Sequence, residues 1–547
     1  MGFSGFRHFL VLLFVKAALS SPPISFSSPN EEIQTRREEG DGSFPFGRTS
    51  ESAVSSHQVH LTLHPSPDRL VATWTSFGRN PTAVLRFGFE KDGLDGVVNG
   101  EVDSYKAEKC SKEKWRTIHT AIFPVSGSKS TFYSVSSDGV TWSDTFEALP
   151  VEHQKVPMTV SLFGDMGILC ETSSVPALVN ATRKREHTAV VHFGDSAYNM
   201  EDDCAGVGDA FLEATQGYAA STPVLWGNGN HERGSKDTYV EYVRRLAGGQ
   251  GALTKASGSG NRRWYSFRLG LMKVVMIDTD VWIYLGSMRY LEEQWRWMDE
   301  ELGRTNRTET PWVVVIGHRA MYCTKTKDGE CNGEAKRIRD GMFFGRWAVE
   351  PLLLKHGVDL YFSGHTHHYE VTWPVRGLKA LQFDYQKPMG PVHVQSGIAG
   401  VDPPFDPFDV PQEKWERIRD TSFSVSFSQM TIHNRTHVTI RQLDAANSTA
   451  FDEFTVFQPD HGPFKETETE SRSEFSEKNG NAKRVPQTLP RQQIPHAPAI
   501  HTYLRGESST LNPIGEEVGV LPNGGEEEET ERHRKERKEG EEKVLIS

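Results

Sequence analysis

The chain has 547 residues, 36% of them apolar and 24% charged, with a formal net charge of -12. That length exceeds what one hydrophobic core organises, so roughly two to four units are expected. The acidic balance argues against a nucleic-acid binder, which normally carries a basic face.

At the amino terminus Arg7 and His8 precede an apolar run from Phe9 to Val15, and Ala18-Leu19-Ser20 places small residues at cleavage spacing. Residues 1–20 therefore read as a signal peptide. No other stretch reaches about 20 apolar residues, so no membrane span is expected. Residues 21–56, rich in Ser, Pro, Gly and charge, read as a linker. From His57 short alternating runs begin: 59–63, 70–74, 83–87, 120–123, 131–135 and 142–146. Strands at that spacing predict an all-β sandwich over residues 57–152, without a catalytic cluster of its own.

Beyond it the texture changes. Apolar runs at 159–163, 189–193, 224–226, 274–277, 312–316 and 359–362 read as strands of a covered sheet. Helical spacing between them, as in Met288 to Leu302, predicts an α/β domain over 153–458 that closes on a strand-rich segment from Val392. Residues 459–547 are dominated by Glu, Lys, Arg, Ser, Pro and Gln and read as a disordered charged tail.

A secreted chain meets an oxidising, glycosylating environment, and sequons stand at Asn180, Asn306, Asn434 and Asn447. Cys323 and Cys331 are near enough to close a short loop, Cys170 and Cys204 follow two polar motifs and are candidates to join their loops, and Cys110 is left over. Spacing alone does not settle the connectivity.

Five apolar strands end in compact polar motifs: Gly164-Asp165-Met166-Gly167, Gly194-Asp195-Ser196-Ala197-Tyr198, Gly229-Asn230-His231-Glu232, Gly317-His318, and Gly364-His365-Thr366-His367. Any one of them is an ordinary turn or cap. Five in order, holding oxygen and imidazole donors and no thiolate, describe a metal site at the carboxyl ends of strands.

These five blocks resemble the metallophosphoesterase signature, and within it the purple acid phosphatases of the two-domain eukaryotic type, over roughly residues 57–458. The resemblance implies a fibronectin III-like sandwich, then a calcineurin-like domain with two stacked sheets flanked by helices. It implies two metals bridged by Asp195, one held by Asp165, Asp195, Tyr198 and His367, the other by Asp195, Asn230, His318 and His365. Carboxylate and phenolate favour Fe(III), whereas imidazoles with an amide oxygen suit divalent Zn, Mn or Fe. Related nucleotidases and nucleases carry a histidine two residues after the first Asp; here Gly167 stands there and Tyr198 supplies the replacement.

The expected reaction is hydrolysis of phosphate monoesters by in-line attack of a metal-bound hydroxide, with phosphate-ester substrates and a secreted or vacuolar-lumen location. His231 is the candidate to contact phosphate and protonate the leaving group, or alternatively only to orient Asn230. His192 reads as packed, His368 as a residue of the rim or a support behind the ligands, and Tyr369 and Glu370 as braces of the last ligand. The alternatives are a phosphodiesterase or nucleotide pyrophosphatase on this scaffold, and a catalytically silent anchor, which the complete donor set opposes. A homodimer stays open, and a partner for the tail is not legible.

Overall fold

The computed structural model describes residues 55–465, apart from 111–112, 154, 169–172, 235–236, 285–287, 325–329, 401–407, 409 and 423. The expected signal peptide, nearly all of the linker, Cys170 and the chain beyond 465 lie outside the described residues.

Eight strands come first: β1 His57–Leu63, β2 Arg69–Phe77, β3 Val84–Gly88, β4 Gly96–Asn99, β5 Glu101–Lys106, β6 Trp115–Pro124, β7 Thr131–Ser136 and β8 Phe146–Ala148. They pair into two four-stranded sheets, β1-β2-β6-β5 and β4-β3-β7-β8. Alternate residues Leu70, Ala72 and Trp74 of β2 meet Leu85, Tyr133 and Val135 of the facing sheet in one core, as period-two patterning requires. The sequence pattern overlooks β4 and β5. Both are edge strands with mostly exposed side chains, so neither carries an apolar alternation. Conversely, the strand expected at 142–146 is irregular up to Phe146, which opens β8. The Asp138 carboxylate accepts the backbone N–H groups of Val140 (2.8 Å) and Thr141 (2.6 Å) and holds the chain out of the ladder.

The remainder runs β9 Met158–Phe163, α1 Val175–Arg183, β10 Ala189–Phe193, α2 Asp202–Ala219, β11 Val224–Gly227, α3 Gly251–Ala256, β12 Tyr265–Leu269, β13 Met272–Ile277, α4 Met288–Gly303, β14 Trp312–Gly317, α5 Ala335–Asp340, α6 Glu350–His356, β15 Leu360–Ser363, β16 Tyr369–Thr372, β17 Val375–Arg376, β18 Lys379–Ala380, β19 Val392–Ser396, β20 Glu416–Arg419, β21 Ser426–Ile432, β22 His437–Asp444 and β23 Ala450–Phe457. Two mixed sheets result, β11-β10-β9-β21-β22-β23 and β12-β13-β14-β15-β19-β16-β20.

Each central strand is apolar on both faces because each face is covered. In β14, Trp312, Val314 and Ile316 enter the core between the sheets, whereas Val313 and Val315 face outward onto Leu291 and Met298 of α4 and Leu352 and Leu353 of α6. On the other sheet, Val190 and Trp226 pack against Leu178 of α1 and Phe211 and Leu212 of α2. Burying each such side chain contributes about 1.5–3 kcal/mol. The layers are therefore helix, sheet, sheet, helix. Strands β9, β10 and β11 run parallel, as do β13, β14, β15 and β19, so their carboxyl ends gather along one edge of each sheet.

The first pair of sheets is joined to this body by buried polar links. Arg116 pairs with Asp209 at 2.5 Å, Arg245 donates to Gln58 Oε1 at 2.9 Å, and the Tyr133 hydroxyl donates to the Ala220 carbonyl at 2.7 Å. The cysteine expectation needs correcting here. Cys204 pairs with Cys110, their Cα atoms 4.8 Å apart, so Cys110 is not left over and Cys204 is not joined to Cys170. Cys323–Cys331 forms as expected. Just past the expected end of the α/β domain, His461 contacts Asp359 at 3.2 Å and Phe464 N–H donates to the Leu354 carbonyl at 3.0 Å, so the first residues of the expected tail lie against the body.

Candidate metal centre

The seven expected ligands converge between the two sheets. Asp165 follows β9, Asp195 and Tyr198 follow β10, and Asn230 follows β11. His318 follows β14, and His365 and His367 follow β15. Asp165, Asp195 and His318 are buried and form a floor, while Tyr198, Asn230, His365 and His367 are half-buried around an open mouth.

Two subsets are visible in the distances. The Tyr198 hydroxyl lies 3.2 Å from Asp165 Oδ1 and 3.0 Å from His367 Nε2, and His367 Nε2 lies 3.6 Å from Asp165. His318 Nε2 lies 3.2 Å from both Asp195 Oδ2 and Asn230 Oδ1. Donor atoms of Asp195, His318 and His365 all fall within 4.8 Å of one another. The Nδ1 atom of His318 is 3.1 Å from the Phe193 carbonyl, so Nδ1–H donates there and Nε2 is turned toward the cage.

Local geometry aims the short oxygen ligands. Asp165, Asp195, Tyr198 and His365 have φ of 62, 50, 53 and 72°, left-handed values that only specific surroundings sustain. A Cβ at Gly229 would meet Asp195 Oδ1 at 2.3 Å, and one at Gly364 would meet Asp165 Oδ2 at 2.2 Å. Glycine is thus what lets each carboxylate lie against the neighbouring loop.

The charge balance of the donors calls for cations. Burial alone would lower the His318 pKa, yet the Asp195 and Asp165 carboxylates outweigh it and raise the ring to about 9. For Asp195, burial works upward, but His318 and the neighbouring imidazoles hold the carboxyl below its usual range. Burial and Asp165 push the Tyr198 phenol well up, so a phenolate there needs a strong positive charge beside it. Hard oxygens on one side and imidazoles on the other fit a pair of metal ions.

Several residues beyond the seven expected ligands complete the site. Glu232 is buried, and its carboxylate accepts the backbone N–H groups of Asp195 (2.8 Å), Ser196 (2.7 Å) and Gly229 (2.7 Å), tying two ligand loops together. Its place directly after His231 was the available signal. His231 stands at the mouth, its backbone N–H donating to Asp195 Oδ1 at 2.9 Å, its ring 4.6 Å from that of Tyr198, and its Nδ1 3.1 Å from Asn199 Oδ1. Arg319 and Glu334 adjoin His365. His192 is fully buried, held down to about 3 by burial, and packs edge-on against Phe163 at 5.1 Å, as a packing residue should. His368 is buried beside Glu370, 3.4 Å away, rather than on the rim. Tyr369 does not brace His367: its hydroxyl donates to Asp452 at 2.8 Å, because alternation along β16 turns it into the inter-sheet core.

Donor-bearing loops at the carboxyl ends of strands from two stacked sheets define a metallophosphoesterase. Comparison with known proteins agrees. Residues 158–369 match the calcineurin-like phosphoesterase family, and residues 390–453 match the carboxy-terminal region of iron/zinc purple acid phosphatase-like proteins. Acid phosphatase type 7 of Mus musculus is 30% identical, over 74% of this chain and 92% of the relative. Purple acid phosphatase 18 of Arabidopsis thaliana is 26% identical over 72% and 82%. The solved purple acid phosphatase PPD1 from yellow lupin seeds superposes with a TM-score of 0.59 at 19% identity, covering 74% of this chain and 75% of that one. The chain belongs to the purple acid phosphatase family and is a phosphatase enzyme. Membership implies a dinuclear metal centre.

Proposed function

We propose that the chain hydrolyses phosphate monoesters to an alcohol and inorganic phosphate at an Fe(III)–M(II) centre, M being Zn, Mn or Fe. The observation that carries this reading is the Tyr198 hydroxyl, aimed at both Asp165 and His367. Asp165, Asp195, Tyr198 and His367 would hold the ferric ion, and Asp195, Asn230, His318 and His365 the divalent one. Such a pair supplies charge neutralisation for the phosphate and an acidified water as nucleophile.

The chain's own residues do the rest. The buried floor keeps the two carboxylates away from bulk water, and the half-buried rim leaves one open side for substrate. On that side His231 is the proton donor to the leaving oxygen. Asn199 engages Nδ1, leaving Nε2, which lies 3.9 Å from Asp195 Oδ2, as the nitrogen that carries and releases the proton.

The wider organisation follows the same reading: a signal peptide over 1–20, a linker to 56, a fibronectin III-like module over 57–152 and a catalytic domain over 153–458. Two disulfides and the exposed positions of Asn180, Asn306, Asn434 and Asn447 support a glycosylated protein of the secretory lumen. Among the described residues no helix is long and apolar enough to cross a membrane.

The decisive experiment is a visible spectrum of the purified protein with metal quantitation, followed by turnover of an aryl phosphate monoester and the corresponding diester. A ferric phenolate is coloured, so an iron-free, colourless but active enzyme would overturn the metal assignment. Faster diester cleavage would overturn the substrate class. His231→Gln should lower kcat by about 10²-fold or more with metal content unchanged; an unchanged kcat would reduce His231 to a support for Asn230.

A further inference from the structure

His365 is addressed from outside the cage by groups that belong to no metal-ligand motif. Its Nε2 lies 2.6 Å from Arg319 Nη1 and 3.6 Å from Glu334 Oε2. The same Nη1 also pairs with Glu334, while Arg319 Nε bonds Asp280 Oδ1 at 2.9 Å. Asp280 is buried and in turn accepts from the Tyr239 hydroxyl at 3.3 Å. Arg319 is only 4% exposed, so its guanidinium is a fixed strut between two carboxylates rather than a surface side chain. Glu334 opens α5, and the loop before that helix is closed by Cys323–Cys331.

From this arrangement we infer that Arg319 and Glu334 are positioning residues that orient His365 and thereby set the affinity of the divalent-metal position. The inference rests on the dinuclear reading above. An imidazole offers two nitrogens, and a ring that lends one to a cation must satisfy the other. Nε2 accepts from Arg319 Nη1 at 2.6 Å, and Glu334 Oε2 stands 3.6 Å away, a short movement from hydrogen-bond distance. With Nδ1 as the ligand nitrogen, Nε2 would carry the proton and turn from Arg319 to Glu334 as its acceptor, with Arg319 and Asp280 keeping that carboxylate in place. Carboxylate partners of this kind fix ring orientation and raise ligand basicity, and their loss typically costs about 10- to 100-fold in metal affinity. His318, by contrast, uses a backbone carbonyl for the same purpose. The two imidazoles of one proposed metal position are thus anchored differently, one by main chain and one by a replaceable side-chain clamp.

The test uses full-length protein and Zn(II) ions, with Zn(II) affinity measured by competition against a chelator on wild type, E334Q, E334D and R319K. E334Q and R319K should bind Zn(II) about 10- to 100-fold more weakly, with iron content and the visible band retained, while E334D, which keeps the carboxylate, recovers most of the affinity. Unchanged Zn(II) affinity in E334Q would overturn the inference, as would equal loss of iron and zinc. Should R319K fail to fold, E334Q decides alone, since Glu334 stands at the solvent edge, 25% exposed. A wild-type protein lacking iron and colour would instead sink the dinuclear reading itself, so the two failures are told apart.

Discussion

The two sheets that meet at the metal centre contribute to it in opposite ways. The six-stranded sheet presents Asp165, Asp195, Tyr198 and Asn230, all oxygen donors; the seven-stranded sheet presents His318, His365 and His367, all imidazoles. Short carboxylates cannot reach far, so the backbone itself has to aim them, and three of those four oxygen ligands sit at left-handed φ. Each such residue costs about 1–3 kcal/mol, and the Glu232 carboxylate, accepting three main-chain N–H groups, offsets part of that. Imidazoles are longer and reach inward from strand ends, with His365 alone among the three at positive φ. The difference teaches where accuracy is stored: in backbone conformation on the oxygen side, in the partners of the ring nitrogens on the other. Each proposed metal position draws on both sheets, so binding the cations also ties the sheets together.

The comparison can be broken most severely at Asp195, the one ligand assigned to both metals. Asp195→Asn should lower kcat/KM by at least about 10³-fold, equivalent to about 4 kcal/mol, while circular dichroism stays native; turnover near wild type would refute the bridging role. A milder perturbation sharpens the oxygen side. Glu232→Gln keeps the shape but weakens its grip on the two loops, so activity and iron retention should fall together by about 10- to 100-fold, as dialysis followed by metal analysis would reveal. Retention of iron at wild-type level would mean that the loops hold without it.

The smallest effect belongs to the nitrogen side. His393 in β19 is buried between Tyr322 and Tyr361, at 4.6 and 5.3 Å, with neither ring nitrogen hydrogen-bonded among the described residues. Burial lowers it from 6.5 to about 3. The unfolded chain therefore takes up a proton below about pH 6.5 that the native protein refuses until about pH 3, so stability falls as pH drops through that window. His393→Phe should raise the thermal midpoint, by the equivalent of about 1–3 kcal/mol, and the gain over wild type should widen between pH 7 and pH 4.5. A gain that shrinks on acidification would contradict the neutral buried state.

Much of this architecture was readable from residue order. Strands such as β10 and β14 are continuous apolar runs because helices cover one face and the opposing sheet the other, and the helix expected from Met288 ends one residue past its predicted limit. Edge strands β4 and β5 escaped because most of their side chains stay exposed or half-buried, and the strand expected at 142–146 failed because Asp138 captures the backbone just before it. Cys110–Cys204 could not be read, since its 94-residue separation is bridged only by packing of the first sheets against α2.

What the chain order determined alone is where the proposed ligands fall, because a glycine-flanked donor just past an apolar strand is a local pattern with a local cause. What needed the tertiary structure is everything that supports those ligands: Glu232 reaching across two loops, Arg319 and Glu334 closing on His365, and Tyr369 turning away to Asp452. Long-range contacts of that kind leave no periodic trace, since their partners are set by how two sheets stack rather than by the spacing of neighbours.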